Sequence, residues 1–252
     1  MPTTLIQQKP TFTKKVKGED KLLISEMFAD TIQGEGIHSG CVSTFIRLQG
    51  CTLKCVWCDT IDVWPEGNEY SFDEIFEMFE SINLINKFKQ GQHLIITGGS
   101  PLKQEKQLIN FINSFIKKYN FKPYIEVENE VVLFPTPEFV SLINWWNNSP
   151  KLNNSGMKYK TRIKPLVLSY MGSLPNSTFK FVISSENDWN EIKEVFIDTN
   201  FINKNQILLM PEGQTQEELN KNRELTVELA IKEGVRFCDR LHITIWNKRV
   251  GI

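Results

Sequence analysis

Apolar strand-like runs alternate along this chain with amphipathic helical ones. "SFDEIFEMFESINLINKFKQG" opens on Ser71 with Glu74 three positions later, a capping-box pattern, and then spaces Phe72, Ile75, Phe76, Phe79 and Ile82 at helical intervals before Gly91. "HLIITGG" follows as a short buried strand ending in glycines, and "KQEKQLINFINSFIKKY" returns to helix with Leu108, Phe111, Ile112, Phe115 and Ile116 on one face. The same reading gives a strand at "PYIEVE", helix at "PEFVSLINWW", strand at "STFKFVIS", helix at "NDWNEIKEVFI", strand at "QILLM", helix at "TQEELNKNRELTVELAIKEG" and a last strand at "RLHITIW". Strand and helix in turn imply right-handed βαβ units and a mostly parallel sheet, closed or partly closed as a TIM-like β/α barrel. Functional residues are then expected where strands end and loops begin. Residues 149–172, rich in Asn, Ser, Lys and Pro, read as a long loop or insertion.

Composition narrows the classes. At 252 residues the chain can bury one sizeable core, so a single domain over 21–252 is expected, with residues 1–20 as an N-terminal extension. A net charge of −1 offers no electrostatic footprint for nucleic acid or an anionic membrane, which favours a small-molecule substrate. Nothing resembles a signal-peptide core or a membrane span, and a cytoplasmic location is expected. In a reducing compartment, clustered cysteines are metal ligands or catalytic groups more often than disulfides.

Three of the five cysteines fall within "GCTLKCVWCDT". A structural zinc site takes four ligands, and Cys51, Cys55 and Cys58 supply three, so the distant Cys238 or His38 would have to complete it. A redox dithiol could use Cys55 and Cys58 but leaves Cys51 without a role. Three thiolates on a four-iron cluster leave one iron open to a non-protein ligand. Cys41 and Cys238 are expected to be buried thiols.

Cys-x-x-x-Cys-x-x-Cys with an aromatic residue, Trp57, before the last cysteine resembles the cluster motif of the radical S-adenosylmethionine enzymes. The flanks "QGEG", "FIRLQGC" and "CDT", and downstream "TGGSPL", "KFVIS", "LLMPEG" and "RLHITIW", resemble one family of that group, the 7-carboxy-7-deazaguanine synthases, over roughly residues 25–252. The resemblance implies a partial barrel, a 4Fe-4S cluster on Cys51, Cys55 and Cys58, S-adenosylmethionine on the open iron, and Mg2+ at Thr60. It implies ring contraction of 6-carboxy-5,6,7,8-tetrahydropterin to 7-carboxy-7-deazaguanine with loss of ammonia, fed by an external electron donor such as flavodoxin, in a homodimer. Two other readings stay open: a different radical S-adenosylmethionine enzyme, such as a glycyl-radical activase, and a non-catalytic iron–sulfur or zinc protein.

The remaining site residues can be read chemically. In "QGEG", Gln33 and Gly34 precede Glu35, whose carboxylate can accept two parallel N–H bonds from a guanidine-like edge; the resemblance places it against the pterin. Arg47 interrupts an apolar strand and calls for an anion, either the substrate carboxylate or a structural partner. His242 alternates with Leu241 and Ile243 and so faces the barrel mouth on a strand; the resemblance adds substrate contact there and through the carboxylate of Ile252. Gly98 and Gly99 leave room for the cofactor's amino group, with Trp57, Ser149 and Lys151 near it by resemblance. Ser100 departs from the superfamily's Gly-Gly-Glu, removing the acid that accepts a bond from that amino group. Glu128, on the same strand face as Glu126, is expected to offset the loss.

Overall fold

The computed structural model describes residues 2–7 and 18–249. Among the described residues ten strands, numbered in chain order, are β1 Thr3–Ile6, β2 Lys21–Ile32, β3 Val42–Leu48, β4 Asn68–Ser71, β5 His93–Gly98, β6 Tyr124–Asn129, β7 Trp145–Asn148, β8 Ser177–Ile183, β9 Ile207–Pro211 and β10 Arg236–Phe237. The helices are α1 Phe72–Ser81, α2 Leu84–Lys89, α3 Glu105–Tyr119, α4 Pro137–Leu142, α5 Tyr159–Arg162, α6 Pro165–Ser173, α7 Glu186–Ile192, α8 Gln216–Glu233 and α9 Leu241–Trp246. One sheet runs β1-β2-β3-β5-β6-β7-β8-β9-β10, with β4 also on β2. Every pair from β3 to β10 is parallel, and β2 is antiparallel to β1, β3 and β4. The order ends at β1 and β10 without closing, so this is a partial β/α barrel.

Helices cover the outer face. The Ser71 side chain and Glu74 form the expected capping box on α1, which buries Phe72, Ile75, Phe76 and Phe79. α3 buries Phe111 and Phe115, and Phe115 packs edge-on against Phe76, Phe79 and Phe88. β8, flanked on both faces, is buried along its whole length, as a central parallel strand should be.

Four expectations need correction. The helix expected through 72–90 breaks at Asn83, which sits at φ 59°, a conformation asparagine tolerates; α2 then turns Leu84 and Phe88 into the core. "INWW" is not helix: Trp145–Asn148 form β7, where Trp146 is fully buried and Asn148 Nδ2 donates to Ser177 Oγ at 2.7 Å. Residues 149–172 are not a plain loop, because α5 and most of α6, the latter started by Pro165, fall within them. "LHITIW" is helix α9 rather than a strand. The Leu241 N–H is taken by Gly34 O at 2.8 Å, and Thr244 N–H bonds Arg240 O at 2.9 Å to close a turn.

Of the expected N-terminal extension, Thr3–Ile6 forms an edge strand on β2 with Ile6 in the core, while residues 8–17 lie outside the described residues. Among the described residues no helix is long and apolar enough to cross a membrane.

The barrel's two ends differ in chemistry. At the end where the parallel strands begin, Glu126 is fully buried, accepts from His93 Nδ1 at 2.6 Å and Asn147 Nδ2 at 2.7 Å, and has His38 Nδ1 at 3.1 Å. Burial alone would raise the pKa of Glu126; the imidazoles and Asn147 outweigh it and bring it down to about 2. Such a group stabilises the fold above its unfolded pKa and loses that contribution as pH falls through the folded value. Denaturant unfolding of the cluster-free protein should therefore show wild type ahead of Glu126→Gln by about 3 kcal/mol near pH 6, the gap closing between about pH 4.5 and 2. A gap that does not change with pH would remove the ionised carboxylate from the account.

Candidate active site

At the opposite end, where the parallel strands stop, a pocket of about 1330 Å³ including its open mouth gathers the cysteine loop, the "QGEG" loop, the ends of β5, β6 and β8, and the start of α9.

The cysteine loop forms the floor. Cys51, Cys55 and Cys58 are free thiols that all line the pocket, and a turn from Cys58 N–H to Cys55 O at 3.2 Å brings the last two round. Burial raises the Cys51 and Cys55 pKa values. The three sulfurs do not lie within 4.8 Å of one another, whereas a tetrahedral zinc would hold them at ~3.8 Å. Nor do the proposed fourth ligands approach: His38 is with Glu126 at the far end, and Cys238 Sγ accepts from Gly36 N–H at 2.9 Å. Spread thiols opening on a shared cavity suit a cluster rather than one ion. Cys238 is buried as expected and its pKa pushed up to about 11 by burial, but Cys41 is only half-buried.

Gly99 earns its place by close approach. A Cβ there would lie 2.4 Å from Cys51 Cβ and from Gly50 O, so only glycine lets β5 run up against the cysteine loop. Ser100 N–H bonds Gly50 O at 2.8 Å in the same seam. Gly34 does the same for the other wall, since a Cβ would lie 2.0 Å from His242 Nδ1. His242 thus reaches the mouth as expected, though from a helix. Burial lowers its pKa, so the neutral imidazole is favoured.

Charged groups alternate across the pocket. Asp59 pairs with Arg240, whose Nε donates to Glu35 Oε1 at 2.8 Å; Glu35 pairs with Lys180, which also reaches Glu128 Oε2 at 3.2 Å. Gln33 Nε2 closes the row onto Glu128 Oε1 at 3.1 Å. Burial would raise the pKa values of Glu35 and Asp59, but the cations dominate and both are lowered. Glu128 is raised, first by burial and then by Glu35. Lys180 and Arg240 are held in their charged forms by these carboxylates against the opposing effect of burial.

Arg47 finds a structural partner at the edge of the pocket. Its Nε donates to Glu26 Oε1 at 2.6 Å, and the residue lines the pocket. Trp57 Nε1 donates to Asn154 Oδ1 at 3.2 Å, and Lys151 lies over its ring at 5.3 Å while donating to Ser149 Oγ at 2.7 Å. Thr60 lines the pocket with Oγ1 3.7 Å from Cys58 Sγ. Ile252 lies outside the described residues.

Asp59, Lys180, Arg240 and Glu130 do not stand out in the sequence. For Lys180 a signal exists: it interrupts the apolar strand "STFKFVIS" as Arg47 interrupts "TFIRLQG". Glu130 is the carboxylate that lies beside Ser100, joined to it through Thr52, whereas Glu128 is turned toward Lys180.

A family model described as a 4Fe-4S single cluster domain matches residues 32–129. A 7-carboxy-7-deazaguanine synthase from Pyrobaculum aerophilum is 30% identical over 92% of this chain and 97% of its own length. This chain belongs to the 7-carboxy-7-deazaguanine synthase family. Synthases of the same name from Buchnera aphidicola and Halobacterium salinarum are 31% and 27% identical, over 87% and 90% of this chain and 95% and 91% of their own lengths. The crystal structure of QueE from Escherichia coli shares the fold, with TM-score 0.62 at 22% identity over 88% of this chain and 95% of that one. Family membership makes this a radical S-adenosylmethionine enzyme, with a 4Fe-4S cluster and S-adenosylmethionine as cofactors.

Lys180, like Arg240, is shared by two carboxylates, so its removal strands buried charge. Lys180→Met should lower unfolding free energy by ~3–5 kcal/mol, the usual cost of stranding a buried charge. Adding Glu128→Gln should recover part of the loss. Equal stability of Lys180→Met and wild type in urea titrations would show that the carboxylates do not depend on Lys180.

Proposed function

We propose that this chain is a 7-carboxy-7-deazaguanine synthase, contracting 6-carboxy-5,6,7,8-tetrahydropterin to 7-carboxy-7-deazaguanine with loss of ammonia. The observation that carries the reading is that the three free thiols share one pocket with Glu35, Arg47 and His242. When bound, the cluster and S-adenosylmethionine supply a 5'-deoxyadenosyl radical that takes and later returns a substrate hydrogen.

The chain's own residues hold and orient. Cys51, Cys55 and Cys58 would hold the cluster, with S-adenosylmethionine beside it. Glu26 takes the Nε donor of Arg47 and fixes the guanidinium plane, with the Nη donors to spare for the substrate carboxylate. Glu35, kept ionised by Lys180 and Arg240, is an acceptor for the N–H groups of the aminopyrimidinone edge, with Gln33 and Gly34 beside it. His242, neutral and packed on Gly34, offers one ring nitrogen as donor or acceptor to the pterin. Gly98, Gly99, Trp57, Ser149 and Lys151 border the cofactor's part of the pocket. Thr60 would offer one hydroxyl to Mg2+, and since one hydroxyl cannot satisfy that ion, substrate and water oxygens would have to complete its shell. A flavodoxin-like protein reduces the cluster, and the chain works as a homodimer in the cytoplasm.

The activase alternative lacks support from the whole-length relatives, and the zinc alternative from the spacing of the thiols. Anaerobic turnover with reductant, Mg2+, S-adenosylmethionine and the tetrahydropterin should yield 7-carboxy-7-deazaguanine with ammonia and without matching loss of S-adenosylmethionine. Glu35→Gln should raise the pterin KM about 10- to 100-fold, as expected for a lost hydrogen bond to a charged group. Cleavage to 5'-deoxyadenosine with no deazapurine would reject this substrate.

A further inference from the structure

The corner of the pocket beside Cys51 holds a carboxylate whose presence the fold alone does not explain. Glu130 is 5% exposed and lines the pocket. Its Oε1 accepts from Thr52 Oγ1 at 2.9 Å, while its buried Oε2 has no partner. An unsatisfied buried carboxylate oxygen costs stability unless something completes it. The backbone strains to put it there, because Val131, a β-branched and fully buried residue, sits at φ 63° with its N–H held by Asn129 Oδ1 at 3.1 Å.

Ser100 cannot do this job itself. Its Oγ accepts from Thr52 N–H at 2.8 Å, lies 3.0 Å from Thr52 Oγ1 and donates to Cys51 Sγ at 3.7 Å, and it also pulls the Glu130 pKa down against burial, so the hydroxyl is shared between the cysteine loop and Glu130. Lys151, which lines the same pocket, is engaged by Ser149 and the Trp57 ring. What fits the incompletely satisfied Glu130 carboxylate is an N–H donor brought by a ligand, and the cofactor of this family brings an amino group to the cluster.

We propose that the Glu130 carboxylate accepts the amino-group hydrogens of S-adenosylmethionine, with Thr52 and Ser100 joining it to the cysteine loop, so that the acid missing at position 100 is supplied by the residue that follows β6. This rests on the pocket being an S-adenosylmethionine site. Glu128, committed to Lys180 and Gln33, serves the pterin side instead.

The test is calorimetric binding to anaerobically reconstituted protein, with iron content and cluster absorbance checked for each variant. Two ligands are compared: S-adenosylmethionine and its des-amino analogue, in which methylthiobutyrate replaces methionine. Glu130→Gln should weaken S-adenosylmethionine by about 10- to 100-fold, the loss of a hydrogen bond to a charged acceptor, and the analogue by less than about twofold. Glu130→Asp, which retracts the carboxylate but keeps its charge, should show the same ligand-selective pattern and serves if the Gln variant loads poorly. Unchanged S-adenosylmethionine affinity, or equal weakening of both ligands at full cluster content, would overturn the proposal and make Glu130 a packing residue. Those results would leave the synthase reading standing, whereas a loaded wild type that binds no S-adenosylmethionine would remove both.

Discussion

The row of alternating charges from Asp59 through Arg240, Glu35 and Lys180 to Glu128 ties together five pieces of chain that are far apart in sequence. Asp59 belongs to the cysteine loop, Arg240 to the entry of α9, Glu35 to the "QGEG" loop, Lys180 to β8 and Glu128 to β6. Apolar packing sets the sheet, but it is non-directional and cannot fix how loops at the strand ends meet. Paired charges in a poorly solvated pocket can, because each needs its neighbour to offset desolvation. Three carboxylates face two cations, and burial together with the nearby Glu35 raises the pKa of Glu128. The row therefore sets the field that a substrate meets as well as the shape of the pocket.

Strand β6 shows how direction in a parallel sheet assigns chemistry. Glu126 and Glu128 share a face two residues apart, about 7 Å along the strand. Glu126 falls at the end where the strands begin and is driven to a low pKa by two imidazoles; Glu128 falls at the mouth and is raised. Two positions further, beside the strained turn at Val131, Glu130 enters the corner next to Cys51. Three carboxylates spaced by two along one stretch therefore meet three environments. The step from one end of the barrel to the other separates structural from ligand-facing roles.

Much of this architecture is legible in the amino-acid sequence. Helices α1, α3 and α8 and strands β5, β6, β8 and β9 follow directly from apolar periodicity, since each buries one face or a whole short run. The thiol triplet, Glu35 and Arg47 stand out because a charged or reactive group in an apolar or glycine-rich context needs a partner. The failures have a common cause, in that the deciding contact is non-local. "WNN" has no strand pattern of its own and becomes β7 only because β6 and β8 offer paired edges on both sides. "LHITIW" has period-two alternation but finds no strand to pair with, while Arg240, anchored by Glu35, Asp59 and Gly213 O, halts the chain at the pocket and leaves the next residues to close a helical turn. His242 arrives at the same place by either geometry, because Gly34 leaves space for its ring and a side chain at position 34 would not. Function at this mouth is thus set by which side chains the anchoring charges and glycines admit, more than by the secondary structure that delivers them.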